Sequence, residues 1–120
     1  MLLDVREPVQ FDIVRLKTAI SWPLGKIKSE RAAAGAQRGL RLDSAQSVVA
    51  LIEERAASLP CREDPFLVVC LCRRGVDSVE AATLLNHMLN KDGKRGYDVC
   101  DVKGGLLAWA ADVDQTFPIY

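Results

Sequence analysis

Seven consecutive residues, Cys72-Arg73-Arg74-Gly75-Val76-Asp77-Ser78, combine a nucleophile, two cations and a glycine. They follow the apolar run Phe66-Leu67-Val68-Val69-Cys70-Leu71 and lead into an amphipathic stretch, Val79 to Leu89. A thiol between the end of a buried strand and the start of a helix meets converging backbone amides. The partial positive charge there favours a thiolate over a thiol. Gly75 allows a turn that side-chain-bearing residues resist. Successive N–H groups from Arg73 to Ser78 can curve into a concavity that holds an anion. Reactive cysteines in such surroundings titrate between ~3.5 and ~7.5 rather than near ~8.5. The chemistry expected is attack on sulfur, and the same concavity would hold a terminal persulfide, which is itself an anion. Cys72 is the expected catalytic residue, and Arg73, Arg74, Gly75, Val76, Asp77 and Ser78 form the expected substrate-binding loop.

The flanking elements must place that loop. Met1 to Val5 reads as a short buried strand, Val9 to Ile20 is mixed, and Ser21-Trp22-Pro23-Leu24 reads as extended, because the residue before proline avoids the helical region. Lys26 to Leu42 is polar and weakly patterned, and reads as a surface insertion. Asp43 and Ser44 offer N-cap oxygens to a helix running through Ala57, with Val48, Leu51 and Ile52 on its apolar face and Pro60 beyond its end. Phe66 to Leu71 suits a strand covered on both faces. Asp77 and Glu80 have capping-box spacing at the next helix start, and Ala81, Leu84, Leu85, Met88 and Leu89 give that helix its stripe. Lys91 to Gly96 reads as a turn, Tyr97 to Val102 as a strand, and Leu106 to Ala111 as a short helix after Gly104-Gly105. The tail Phe117-Pro118-Ile119-Tyr120 is expected to pack down. Alternation of this kind predicts an α/β fold in three layers, a mostly parallel central sheet with helices on both faces. Cys72 then lies outside the carboxyl end of a strand, where ligands gather in open α/β sheets.

Bulk composition narrows the classes. At 120 residues the chain makes one domain, and 16 Lys plus Arg against 16 Asp plus Glu leaves no net charge to attract nucleic acid or an anionic membrane. No apolar run approaches the ~20 residues that span a bilayer. The first residues lack a signal-peptide pattern, so the four cysteines are read as reduced, cytoplasmic thiols rather than disulfides. One Cys-x-Cys and a single histidine do not make a zinc site. Beginning directly on a strand suggests a fragment of a longer protein.

Other reactive side chains have quieter readings. Cys70 is expected in the core. Cys61 and Cys100 are expected to be structural, with Cys61, in the Pro60-Cys61-Arg62 turn, the better candidate for a second working thiol. His87 is expected at the surface, Asp4 and Arg6 as a stabilising pair, and Trp109 as a core anchor. Gly104-Gly105 would admit close backbone approach to the loop, and Lys91, Lys94 and Arg95 form a small basic patch.

Three segments together resemble the signature regions of rhodanese-like domains: Leu3-Asp4-Val5-Arg6-Glu7, the Cys72–Ser78 loop, and Val102-Lys103-Gly104-Gly105-Leu106-Leu107-Ala108-Trp109. Within that family, Phe11-Asp12-Ile13-Val14-Arg15-Leu16, Trp109-Ala110 and Asp114-Gln115-Thr116-Phe117-Pro118-Ile119-Tyr120 resemble the E1-linked group, C-terminal domains of adenylyltransferase–sulfurtransferases. Arg15-Leu16-Lys17-Thr18-Ala19 stands where other members carry His-Ile-x-Gly-Ala. Set against that family's full fold, the first strand and helix are expected to be missing, so the sheet is expected to lack an edge strand. The resemblance implies an adenylating E1-like domain in the same chain, and places ATP and zinc there, with no cofactor in this domain. It implies a cysteine desulfurase or another rhodanese as sulfur donor, and a ubiquitin-like sulfur carrier as acceptor. The carrier's thiocarboxylate would serve tRNA wobble-uridine 2-thiolation and molybdopterin synthesis. Two other readings compete. A tyrosine-phosphatase-like site would need arginine six positions after the cysteine, where Ser78 stands; a non-catalytic docking module would have no use for Cys72.

Overall fold

The computed structural model describes residues 1–34, 46–61, 64–91 and 96–118. In chain order the elements are β1 (Leu2–Asp4), α1 (Pro8–Ile13), β2 (Ile20–Ser21), α2 (Leu24–Ala34), α3 (Val48–Ala57), β3 (Phe66–Leu71), α4 (Asp77–Leu89), β4 (Tyr97–Asp101) and α5 (Gly105–Asp112). The strands form one sheet in the order β2-β1-β3-β4, every neighbouring pair parallel. Leu3 stands beside Cys70, and Val69 beside Cys100. After β2 the order in which strands are added across the sheet reverses, while every strand keeps the same direction. Right-handed crossovers therefore lay α1 on one face and α2, α3 and α4 on the other.

The core is a continuous apolar cluster in which Leu3, Val68 and Cys70 of the sheet pack with Ile27, Val48, Ile52, Ala81 and Leu85 of the helices. β3 occupies the predicted span, but its two faces differ: Val68 and Cys70 are fully buried while Leu67 is 43% exposed. Strands β1, β3 and β4 end together. Val5 N–H donates to Leu71 C=O at 2.8 Å, and Val102 N–H to Cys70 C=O at 3.1 Å. Cys72 follows directly from that edge.

Several expectations change. The start of the supposed surface insertion is α2, which buries Ile27 and covers Trp22. Its apolar stripe is thin, and neighbouring elements rather than internal pattern stabilise it. Glu30 ties it down, accepting from Trp22 Nε1 at 2.7 Å and from Val48 N–H at 2.8 Å. The remainder of that stretch, with Asp43 and Ser44, lies outside the described residues, as do Lys94 and Arg95. The cap of α3 is instead Ser47, whose hydroxyl accepts from Ala50 N–H at 3.2 Å. The mixed stretch after Arg6 contains α1, opened by a reciprocal box between Glu7 and Gln10. Trp109 is only half-buried, and Leu106 and Ala110 are the buried anchors of α5.

Candidate active site

The loop leaving β3 turns sharply at Gly75, where φ is +86°, a region that favours glycine. This turn brings two backbone amides onto the Cys72 sulfur: Gly75 N–H at 3.0 Å and Ser78 N–H at 3.4 Å. Ser78 Oγ lies 3.3 Å from the same atom. Asp77 and Glu80 were expected to cap α4, but Val76 holds the cap position and no side-chain cap bond forms there. The reason is visible in the sulfur's contacts. Ser78 N–H is a first-turn amide that a capping oxygen would ordinarily satisfy, and Cys72 Sγ occupies that acceptor role. Asp77 is left at the surface in the first turn.

The sulfur therefore faces oriented dipoles at the N-terminus of a helix thirteen residues long, an arrangement that suits a negative charge placed there. Cys72 itself is 4% exposed, so the sulfur is reached through an opening rather than displayed on a surface. The opening is a cavity of about 170 Å³ that Cys72 shares with Arg6, Gln10, Arg73, Arg74, Val76 and Asp77. Arg73 is half-buried while Arg74, Val76 and Asp77 are exposed, so the loop supplies the rim. A space of this size takes a small anion or one end of an extended chain, not a large planar molecule.

Two cavity residues, Arg6 and Gln10, were not expected there. The signal available was the Asp4/Arg6 pair at the end of β1, the strand beside β3. The structure shows that pair fully formed: Arg6 Nε donates to Asp4 Oδ1 at 2.9 Å and Arg6 Nη2 to Asp4 Oδ2 at 2.6 Å, both side chains buried. Nη2 also donates to Val14 C=O at 2.6 Å, fastening the chain beyond α1 to the loop's neighbourhood.

The other cysteines stand apart. Burial pushes the Cys70 thiol up to about 12, with the neighbouring Cys100, Asp101 and Cys72 adding to the rise. Burial, then Asp98 and Asp101, also raises Cys100. Both are poor nucleophiles near neutral pH. Cys61 is exposed, and His87 sits on the solvent side of α4, away from the Cys72 cavity. A larger cavity of about 760 Å³ runs between α4 and β4, and its lining includes His87, Cys100 and Asp98 but no residue of the loop. Among the described residues, no group of His, Cys, Asp and Glu could hold a metal, and no helix is long and apolar enough to cross a membrane.

A parallel α/β sheet with a cysteine cradled at a helix start defines a class, and the family comparison agrees. Residues 1–112 match the rhodanese-like domain family, and the chain belongs to it. Over 120 residues it is 35% identical to the adenylyltransferase and sulfurtransferase MOCS3 of Drosophila persimilis and 37% identical to the adenylyltransferase and sulfurtransferase uba4 of Aspergillus terreus. The zebrafish (Danio rerio) MOCS3 is 31% identical over 123 residues. All of this chain aligns with the Drosophila protein but only 21% of that protein is covered, so the chain spans about a fifth of the length of these relatives. Among solved structures, the rhodanese-related protein of Thermoplasma volcanium matches with a TM-score of 0.52 and 18% identity, over 99% of this chain and 81% of that one. The Bacillus anthracis CoADR-RHD matches at 0.54 and 19% over 98% of this chain and 15% of that one. These two likenesses concern the fold. At family level the chain is a sulfurtransferase domain of rhodanese type.

Proposed function

We propose that the chain carries sulfur as a persulfide on Cys72 and hands it to the activated C-terminus of a ubiquitin-like sulfur carrier protein. The observation that supports this most is the convergence of Gly75 N–H, Ser78 N–H and Ser78 Oγ on one sulfur at the mouth of a small, arginine-rimmed cavity. In loading, the Cys72 thiolate attacks the outer sulfur of a donor, a cysteine desulfurase persulfide or another rhodanese. The donor's S–S bond breaks, and its remaining thiolate leaves with the electron pair. The terminal sulfur now bears the negative charge, within reach of the same dipoles and of Arg73 and Arg74.

In unloading, that sulfur attacks the carbonyl carbon of the carrier's adenylated C-terminus and AMP leaves. A further thiol then cleaves the S–S bond at the Cys72 sulfur, releasing the carrier as a thiocarboxylate and leaving Cys72 in a mixed disulfide. No general base is required once the thiolate exists, which accords with the absence of His87 from the cavity. The adenylation would be performed by an E1-like domain of the same chain, which would also hold the ATP and zinc. The relatives' names, which pair adenylyltransferase with sulfurtransferase, support that assignment. The thiocarboxylate would serve 2-thiolation of the tRNA wobble uridine and molybdopterin synthesis.

The test is reconstitution with a cysteine desulfurase, an adenylating E1-like domain, ATP and a ubiquitin-like carrier, followed by mass analysis of the carrier. A thiocarboxylate that forms with the wild-type chain and not with Cys72→Ala is the expected result. Equal formation with both chains would end the proposal.

A further inference from the structure

The loop is held from its carbonyl side by a second element. In the first turn of α5, Leu106 N–H donates to Cys72 C=O at 2.9 Å and Leu107 N–H to Arg73 C=O at 3.1 Å. The three glycines of positive φ among the described residues, Gly75 at +86°, Gly104 at +78° and Gly105 at +63°, meet at this contact. A Cβ on Gly105 would lie 2.4 Å from Cys72 O and 2.6 Å from both C and O of Arg73. One on Gly75 would lie 2.7 Å from Gly104 N. In each case the obstacle is backbone, so no flexible side chain can swing aside. The turn is itself anchored to the sheet, because Gly105 N–H donates to Val102 C=O at 3.0 Å and Val102 N–H to Cys70 C=O at 3.1 Å.

A peptide plane carries its carbonyl and the following N–H on opposite edges. Anchoring the carbonyls of residues 72 and 73 on α5 fixes the peptide planes that turn the N–H groups of Arg73 and Arg74 to the opposite edge, and the chain enters from there the bend whose amides at Gly75 and Ser78 meet Sγ. We infer that the Gly104-Gly105-Leu106 turn is a positioning element for Cys72, setting the orientation of the amides that hold charge on its sulfur. It touches neither the sulfur nor the cavity and acts only through the loop. The inference rests on the reading of Cys72 as the sulfur carrier, and it adds a group of residues, distant in sequence, on which the reactivity of Cys72 depends.

Three variants test it. Gly105→Ala forces the two backbones apart. Replacing Leu106 by its α-hydroxy-acid analogue through semisynthesis keeps the side chain, deletes the N–H that holds Cys72 C=O, and weakens Gly105 C=O as an acceptor. Gly25→Ala is the control, since a Cβ there meets nothing within 4 Å. The readouts are the rate of Cys72 persulfide formation from thiosulfate, followed by quenched intact-mass analysis, and the pH profile of Cys72 alkylation by iodoacetamide. Circular dichroism and urea midpoints report the fold. The ester variant is expected to remain folded, to load sulfur at least tenfold more slowly, and to show an alkylation profile moved to higher pH, because the charged sulfur loses well-aimed donors. Gly25→Ala is expected to match wild type. A folded ester variant with wild-type loading and an unmoved profile overturns the inference, as does slower loading fully accounted for by unfolding. Should Gly105→Ala fail to fold, the ester variant decides alone. Alkylation requires no sulfur transfer, so its profile tests the positioning even where wild type takes up no sulfur, the result that would instead defeat the underlying reading.

Discussion

Ser78 meets Cys72 twice: its amide nitrogen lies 3.4 Å and its hydroxyl oxygen 3.3 Å from the sulfur, with the serine wholly buried. One residue thus supplies both a helix-start dipole and a rotatable hydroxyl to the same atom. The position is also the one at which a phosphatase-type cradle would require arginine.

The two contributions separate in Ser78→Ala, which keeps the amide and deletes the hydroxyl. A hydrogen bond to a charged group is worth ~1.5–3 kcal/mol. Sulfur loading of Cys72 is therefore expected to slow by roughly tenfold or more while the fold persists, since alanine fits a helix interior. Stopped-flow loading with thiosulfate measures it, and a wild-type rate would assign the hydroxyl no part in holding the sulfur.

The Asp4–Arg6 pair is fully enclosed, at 0% and 2% side-chain exposure. Removing one partner of such a pair leaves a buried charge without compensation and costs ~3–5 kcal/mol. Asp4→Ala should therefore lower the urea midpoint severely, whereas a joint replacement of both residues by leucine and methionine should recover much of the loss. Equal destabilisation by the single and the double change would contradict this account.

Cys70 gives a stability trend with pH. Its thiol is raised from 9.0 to about 12, chiefly by burial. The folded state thus prefers the protonated form more than the unfolded chain does. That contribution is complete below pH 9.0 and is lost as pH rises toward about 12. At ~1.4 kcal/mol per tenfold change in the ionisation constant it amounts to a few kcal/mol. Urea unfolding of wild type and Cys70→Ala at pH 7.5 and 10.5 checks it. The gap between the two should narrow at the higher pH, and a constant gap would refute the assignment.

Glu30 joins Trp22 to the start of α3 through bonds of 2.7 and 2.8 Å. Glu30→Ala leaves an indole N–H and a helix-start amide without their acceptor, which should cost ~1–3 kcal/mol. The same change should alter the fluorescence of Trp22 without slowing sulfur loading at Cys72. A slowed reaction in a stably folded variant would mean that α2 reaches the site by a route not seen in these contacts.

How much of this could be read from the residues follows from which forces act locally. The span Phe66 to Leu71 was legible to the residue because a six-residue apolar run between polar turns suits a strand, although the exposure of Leu67 shows that only one of its faces is fully covered. The start of α4 was misjudged by two positions, and its capping box did not form, because the acceptor at that end is a sulfur five residues earlier than Asp77. Sequence spacing does not show that a side chain from a preceding strand fills the cap. The helix at Leu24–Ala34 was hidden for a different reason. Lys26, Lys28, Glu30 and Arg31 dominate its composition, and Ile27 is buried only through its place in the core cluster of sheet and helices. Arg6 and Gln10 belong to the Cys72 cavity through strand order alone, which places the end of β1 beside the end of β3. The glycines at 104 and 105 were visible as an opportunity for close approach. That the approach is to the carbonyls of Cys72 and Arg73 became visible only in the fold.

The most direct measurement is the intact mass of the chain, and the mass of its Cys72 peptide, after brief exposure to thiosulfate or a charged cysteine desulfurase. The account predicts a gain of one sulfur atom localised to Cys72, reversed by a reducing thiol and missing in Cys72→Ala. A folded wild-type chain that gains no sulfur, or a Cys72→Ala chain that gains as much, would contradict it.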